Sequence, residues 1–437
     1  MHQHTHALAP QVTYSIAMKL FSRKTSDAIQ LLEWLKQILH YRTLFLKKHE
    51  SEASLGISCK ISQQMYTMLE TVLLLFLRNT DIEAVRIAMS CFKYLVIEAE
   101  LVMNPTEPSA IPYSPNLRAY KQLEEASKTL QIGRAAQQKK IRAILRELVH
   151  TPGSALAWED TNSSWRVTKS LLISYQRPRE DLHIAPPDLL RFTTDSFPRN
   201  IMKRVAQQGS KEQQLTDENL QQTLLNWTNM TGFLCSLAGV STKPSSSYSM
   251  LLLSTGSHSI SMIDGDIPSV AVQQPVKDPI NRIKRSSSLH SSRPKSLTSL
   301  PPTPRSVGES MLASSNGVLE DCLQHSRASQ TEAFISELMQ LLSCDNEAVG
   351  VNIRETVKEL VSYELSPPVY PYLFQCMTAE SMKVVGMERQ PVINDSNTAL
   401  FDQLVSIVQR VLETKIEGAL EHLVHVKMDD IVLNLAM

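Results

Sequence analysis

The chain has 437 residues, 42% of them hydrophobic, enough to bury a substantial core divided among two or three units. Lys plus Arg and Asp plus Glu stand at 44 each, so the formal net charge is zero, which argues against capture of nucleic acid or anionic membrane by the chain as a whole. The six cysteines (Cys59, Cys91, Cys235, Cys322, Cys344 and Cys376) include no C-x-x-C pair and are widely spread, which disfavours a disulfide framework or a closed zinc site and predicts free thiols in a reducing, cytoplasmic setting.

At the N-terminus, His2, His4 and His6 alternate without the basic and apolar regions of a signal peptide. Residues 1–20 are predicted to be a flexible tail rather than a metal site. A helical scaffold region follows over 21–175. Ser26 to Lys48 carries a broad apolar stripe through Ile29, Leu31, Leu32, Trp34, Leu35, Ile38, Leu39, Leu44 and Leu46. Ile61 to Leu77 is a second apolar run, interrupted at Glu70 and too short to span a bilayer. Ile82 to Glu100 is a third, with Thr80 or Asp81 available to cap it.

After a proline-rich loop, Leu117 to His150 reads as a long polar helical region that Thr151-Pro152-Gly153 stops. Trp158, Trp165, Leu171 and Leu172 mark a further helix pair. Residues 176–216 give a mixed signal, and 217–240 become apolar again around Trp227, Met230, Phe233 and Leu234. Residues 241–318 are dominated by Ser, Pro, Gly and Thr without periodicity, which predicts a disordered regulatory linker. A second helical region spans 319–437, with helices at Phe334 to Leu342, Val349 to Leu365 and Leu400 to Leu423. The apolar run from Ile431 to Met437 reads as a helix cut short, as in a fragment. The expected fold class is all-α: stacked helical hairpins of the HEAT or armadillo kind, although no clean fixed-period repeat is visible.

No phosphate-binding G-x-x-x-x-G-K-[ST] loop, H-E-x-x-H zinc motif or G-x-S-x-G nucleophile elbow occurs. His40, His49 and Glu50 read as a solvated helix end rather than a ligand cluster. No catalytic residue, cofactor or metal is predicted. Arg78, directly after an apolar helix, is expected to complement the helix dipole rather than act as an arginine finger.

Lys139, Lys140, Arg142 and Arg146 form a candidate basic surface for lipid headgroups, tubulin or a calmodulin-like partner. The favoured reading is a solvated face whose Ile141, Ile144, Leu145 and Leu148 complete the core. In the linker, basic residues from Arg282 to Arg285 precede Ser286, Ser287 and Ser288; Arg293 and Lys295 flank Pro294 before Ser296, and Pro302 and Pro304 bracket Thr303. These five hydroxyls are candidate phosphorylation sites, where a phosphate would add charge and acceptors beside arginines and could recruit a phosphoserine reader.

Several blocks in order along the chain carry a family resemblance. They are Leu225 to Val240 (LNWTNMTGFLCSLAGV), Pro152-Gly153-Ser154 with Leu156 to Thr161 (LAWEDT), Glu364 to Pro367, Leu433 to Leu435 and, more weakly, Leu46 to His49. With these the chain resembles the neurofibromin family of large Ras GTPase-activating proteins, in the region before the catalytic domain. The resemblance implies a helical scaffold with a phosphorylated cysteine- and serine-rich part, located in the cytoplasm with peripheral contact at the plasma membrane. It implies dimerisation of the full-length protein, with Ras engaged only through a domain absent from this chain. No catalytic residue carries over, because Phe76-Leu77-Arg78-Asn79 lacks the N-P-A portion of the family's F-L-R-F-x-N-P-A motif. The alternative expectation is a phosphorylation-dependent protein-binding adaptor independent of Ras.

Overall fold

Apolar side chains on nearly every turn of the segment 60–77 leave that helix almost no face for water, so other helices must surround it. In a computed structural model, which describes residues 2–23, 27–48, 60–102, 111–128, 134–148, 151–176, 217–241, 328–384, 394–414, 416, 419–424 and 426, this is what happens. Helices α1 (His2–Phe21) and α2 (Ala28–Lys48) lead into α3 (Lys60–Leu77) and α4 (Ile82–Val102). Then come α5 (Leu117–Lys128), α6 (Arg134–Leu145), α7 (Pro152–Ser174) and α8 (Asp217–Leu237), the last extended by the 3-10 turn Ala238–Ser241. The remaining elements are α9 (328–341), α10 (Gly350–Glu364), the 3-10 turn Pro367–Val369, α11 (Tyr370–Val384), α12 (Asp395–Glu413) and α13 (Ala419–Leu423). The described residues form an all-α bundle without strands.

Helix α3 packs against α1, α4 and α7, while α4 is also flanked by α2 and α5. Helix α8 lies between α7, α6 and α10, and α10 in turn carries α12. The buried apolar residues form one continuous cluster from Ala17 to Ala419. The chain on either side of 242–327 therefore belongs to the same core. Phe334 of α9 stands edge-on to Trp158 and Trp165 of α7, with ring centroids 6.0 and 5.0 Å apart. Trp165 also stacks on Trp227 of α8.

Several expectations change. Most of the predicted N-terminal tail is helix α1, because Thr13, Ala17 and Leu20 fall at helical spacing on one buried face against α3. Thr151-Pro152-Gly153 starts a helix as well as following one: the Thr151 hydroxyl accepts from the Ser154 N–H at 3.2 Å, and Pro152 sits at the first helical position, where its missing N–H costs nothing. The expected helix pair beyond it is one helix, α7. The expected helical region over 117–150 contains α5 and α6, the expected single helix over 400–423 is two in the described residues, and α11, which the prolines at 367, 368 and 371 concealed, is an additional one. The calls on 241–318 lie almost wholly outside the described residues, as do those on 433–435.

Gly153 shows how tightly α3 and α7 meet. A Cβ there would overlap the Glu70 carboxylate of α3 and come within 2.8 Å of its Cβ. Glycine is helix-weakening by about 1 kcal/mol relative to alanine, so in an open position Gly153→Ala would stabilise α7. Here overpacking of about 1–3 kcal/mol is expected to win, giving a net loss of stability measurable by chemical denaturation.

Candidate functional site

The described residues hold three charged nodes, each removed from water at a crossing of helices, and one more open pair of arginines. The first node centres on Glu70, which has no exposed surface. Its carboxylate accepts from the Tyr120 hydroxyl, from the Asn116 amide at 3.0 Å and from the Thr151 hydroxyl at 2.7–2.8 Å. One Thr151 proton serves either oxygen while the same hydroxyl caps α7. Burial pushes the Glu70 pKa up to about 7, opposed by the bonds from Tyr120, Thr151, Asn116 and the Gly153 backbone.

In the second node, Arg42 of α2 donates through Nε to Glu98 of α4 at 2.8 Å and through a terminal nitrogen to the Tyr66 hydroxyl at 3.1 Å. Tyr66 donates to the same Glu98 oxygen at 2.6 Å, leaving Oε2 of Glu98 buried without a partner. Burial works to lower the Arg42 pKa, but the Glu98 charge, Tyr66 and the bonds to both outweigh it and hold the guanidinium above its ordinary value.

The third node joins distant parts of the chain. Arg142 of α6 pairs with Glu364 of α10 through Nε and, at 3.0 Å, through a terminal nitrogen. Arg146 adds a bond to the Tyr363 carbonyl at 3.0 Å. Gly232 of α8 makes room for this pair, since a Cβ there would lie 2.5 Å from Arg142 Cδ. Nearby, the Ser366 N–H reaches the Cys235 carbonyl at 3.0 Å, and the Trp158 indole donates to the Leu234 carbonyl at 3.1 Å.

The four basic residues singled out in the sequence therefore do not share one surface. Lys139 and Lys140 are exposed, Arg146 is half-buried, and Arg142 is buried in its ion pair. Ile141, Ile144, Leu145 and Leu148 are buried, as the favoured reading of that segment requires. Arg78 does not cap its own helix. It is buried and donates Nε to Thr161 of α7 at 3.1 Å, while Gln138 of α6 donates to the Leu77 carbonyl at the end of α3. Ser286, Ser287, Ser288, Ser296 and Thr303 lie outside the described residues, as do Cys59 and Cys322. Cys91 and Cys235 are buried free thiols, and burial pushes the Cys91 pKa up to about 12 and raises that of Cys235 further. Among the described residues no group of three or more His, Cys, Asp or Glu side chains is placed to hold a metal ion, and no helix is long and apolar enough to cross a membrane. No family model matches the chain.

In the sequence, Glu70 reads only as a break in an apolar run. A carboxylate amid continuous hydrophobic residues was itself a signal that partners wait elsewhere, because an unpaired buried charge is too costly to keep. Neither Glu98 nor Glu364 carried any local signal.

Glu70 gives the protein a pH dependence of definite sign. In the unfolded chain its carboxyl ionises near 4.5, and in the folded protein near 7. Its protonation thus favours folding fully below pH 4.5, and this contribution is lost as pH rises through 7, a change of about 3 kcal/mol. Glu70→Gln is neutral throughout, so wild-type and variant stabilities measured in denaturant should diverge across that window, the wild type losing ground at the alkaline end. Parallel curves would refute the assignment.

For the third node, Arg142→Met leaves the Glu364 carboxylate buried and unpaired, with an expected loss of roughly 3–5 kcal/mol. Adding Glu364→Gln should restore more than half of it, because the uncompensated charge is gone. Additive losses in the double mutant, measured by equilibrium unfolding, would count against the pairing.

Proposed function

We propose that this chain is a non-catalytic scaffold segment of a neurofibromin-like Ras GTPase-activating protein, contributing to negative regulation of Ras signalling through the shape it gives the parent molecule. One observation carries the reading. The three longer blocks within the described residues that resemble the family meet at a single seam, formed by the Trp158 bond to Leu234, the Ser366 bond to Cys235 and the Arg142–Glu364 pair lodged against Gly232. Trp158, Trp227, Met230, Phe233 and Leu234 in these blocks are all buried. Residues whose work is to hold helices together point to a scaffold role rather than to contact with a substrate.

In this reading the helices are stacked hairpins of the HEAT or armadillo kind, the remainder of the parent protein is the principal partner, and Ras is met through another domain. The segment 241–318, set between parts of the chain that share one core, serves as the insertion on which kinases and phosphoserine readers act.

The test uses purified chain and GTP-loaded Ras. Phosphate release is expected to stay at the intrinsic rate, whereas acceleration by this chain alone would overturn the scaffold assignment. In cells, Glu364→Arg in the full-length parent should raise Ras-GTP by lowering the amount of folded protein, with activity per folded molecule unchanged. Unaltered Ras-GTP despite loss of the folded segment would sever the chain from Ras regulation.

A further inference from the structure

Arg23 and Arg78 come from the ends of different helices and converge on one carboxylate. Arg23, just past α1, pairs with Asp160 of α7 and donates to the Ser164 hydroxyl at 2.8 Å. Its backbone has a φ of 53°, a conformation that non-glycine residues seldom adopt. Such a backbone is retained where surrounding contacts over-determine it, and these include the Arg23 N–H bond to the Leu20 carbonyl at 3.2 Å. Arg78 approaches the same Asp160 oxygen from the other side but stops 3.8 Å away, beyond a direct hydrogen bond. Its Nε is taken by Thr161, and its terminal nitrogens make no hydrogen bond with the described residues. Two cations against one anion leave an excess positive charge on a guanidinium that is itself largely removed from water.

These arginines line an open cleft of about 400 Å³ between the ends of α1 and α3 and the first turns of α8. Its wall is divided in character. Phe21, Val72, Leu75 and Phe76 supply apolar surface, while Gln222 and Asn226 contribute carboxamides. Burial and the neighbouring Arg23 charge pull the Arg78 pKa down to about 10, with Asp160, which lies behind the two arginines rather than in the cleft wall, opposing. The volume falls in the range of small-molecule sites, and apolar walls with a few convergent polar groups are their usual composition. A guanidinium whose terminal nitrogens lie beyond direct hydrogen-bond reach of the nearest carboxylate, as in Arg78, suits the fork geometry of an added carboxylate or phosphate.

We propose that this cleft binds a small organic oxyanion, its phosphate or carboxylate on the terminal nitrogens of Arg78 with Arg23 and Asn226 beside it, and its apolar body against Phe21 and Phe76. The proposal is independent of the family reading, since nothing in it requires Ras or a catalytic domain.

The experiment is calorimetric titration and two-dimensional NMR on the purified chain, with phenyl phosphate, phenylacetate, inorganic phosphate and vesicles containing phosphatidic acid as probes. A phenyl-bearing anion is expected to bind at least about tenfold tighter than inorganic phosphate, because only it fills the apolar wall. Saturation by the soluble phenyl anions would identify a soluble metabolite as the source of the oxyanion, and preference for the vesicles would identify a lipid headgroup; both support the site.

Two variants predict opposite signs. Asn226→Asp, at a half-buried position, introduces a second carboxylate and should weaken binding about tenfold. Asp160→Asn removes the competing anion and should strengthen it severalfold. Arg23→Gln, at an exposed side chain, should weaken it without unfolding the chain, which keeps the test valid if variants of the buried Arg78 fail to fold. No binding of any probe at millimolar concentration, or affinities unchanged in Asn226→Asp and Asp160→Asn, would overturn the proposal.

Discussion

A charge withdrawn from water must find its counter-charge, and much of this architecture is arranged around that demand. Arg142 and Glu364 lie 222 residues apart in the chain, yet neither can stay buried unless the other is in place. Their pairing brings α6 and α10 together at α8, where Gly232 supplies the space that a side chain would close. A buried ion pair adds little net stability over a well-packed apolar contact, since desolvation offsets much of its attraction. What it supplies is register: apolar faces slide over one another at small cost, whereas a two-pronged contact between a guanidinium and a carboxylate has one good geometry.

The other two nodes follow the same logic with different chemistry. Arg42, Tyr66 and Glu98 fix α2, α3 and α4 with a full ion pair and a bridging phenol. Glu70 has no cation at all. It is held by hydroxyl and amide donors from three separate points in the chain, and burial answers the shortage by favouring its protonated form. Proton exchange at Glu70 requires opening of the core, because no part of the side chain reaches solvent. Around these nodes the contacts are ordinary aromatic and aliphatic packing, with Trp165, Trp227 and Phe334 linking α7, α8 and α9.

The helices most legible in the sequence are those whose burial is nearly complete. Residues 60–77 and 82–102 carry so many apolar side chains that neither period nor length leaves an alternative. Boundaries were harder where one residue serves two purposes. Thr151-Pro152-Gly153 is read equally well as a stop or a start, and only the hydroxyl's bond to Ser154 distinguishes them. Helix α11 was hidden because Pro367, Pro368 and Pro371 look like loop residues, although the first two occupy a 3-10 turn and the third the first turn of the helix. The arginines illustrate the limit of local pattern. Arg78 and Arg142 each have a sensible role within their own helix, and both are overruled by partners that proximity in sequence does not reveal. The cleft beside Arg78 was illegible for the same reason, since its walls come from three segments of the chain.

The span between Arg142 and Glu364 also has a meaning in time. At typical translation rates the ribosome needs roughly 10–40 s to traverse it. Throughout that interval α6 has emerged with its guanidinium unmatched, and the face of α8 around Gly232 awaits α10. The first helices can close on one another early, because α1, α2, α3 and α4 contact near neighbours in sequence. The seam cannot, so a nascent chain holds a half-built groove with one stranded positive charge at its centre, until the last third of the chain arrives to neutralise it.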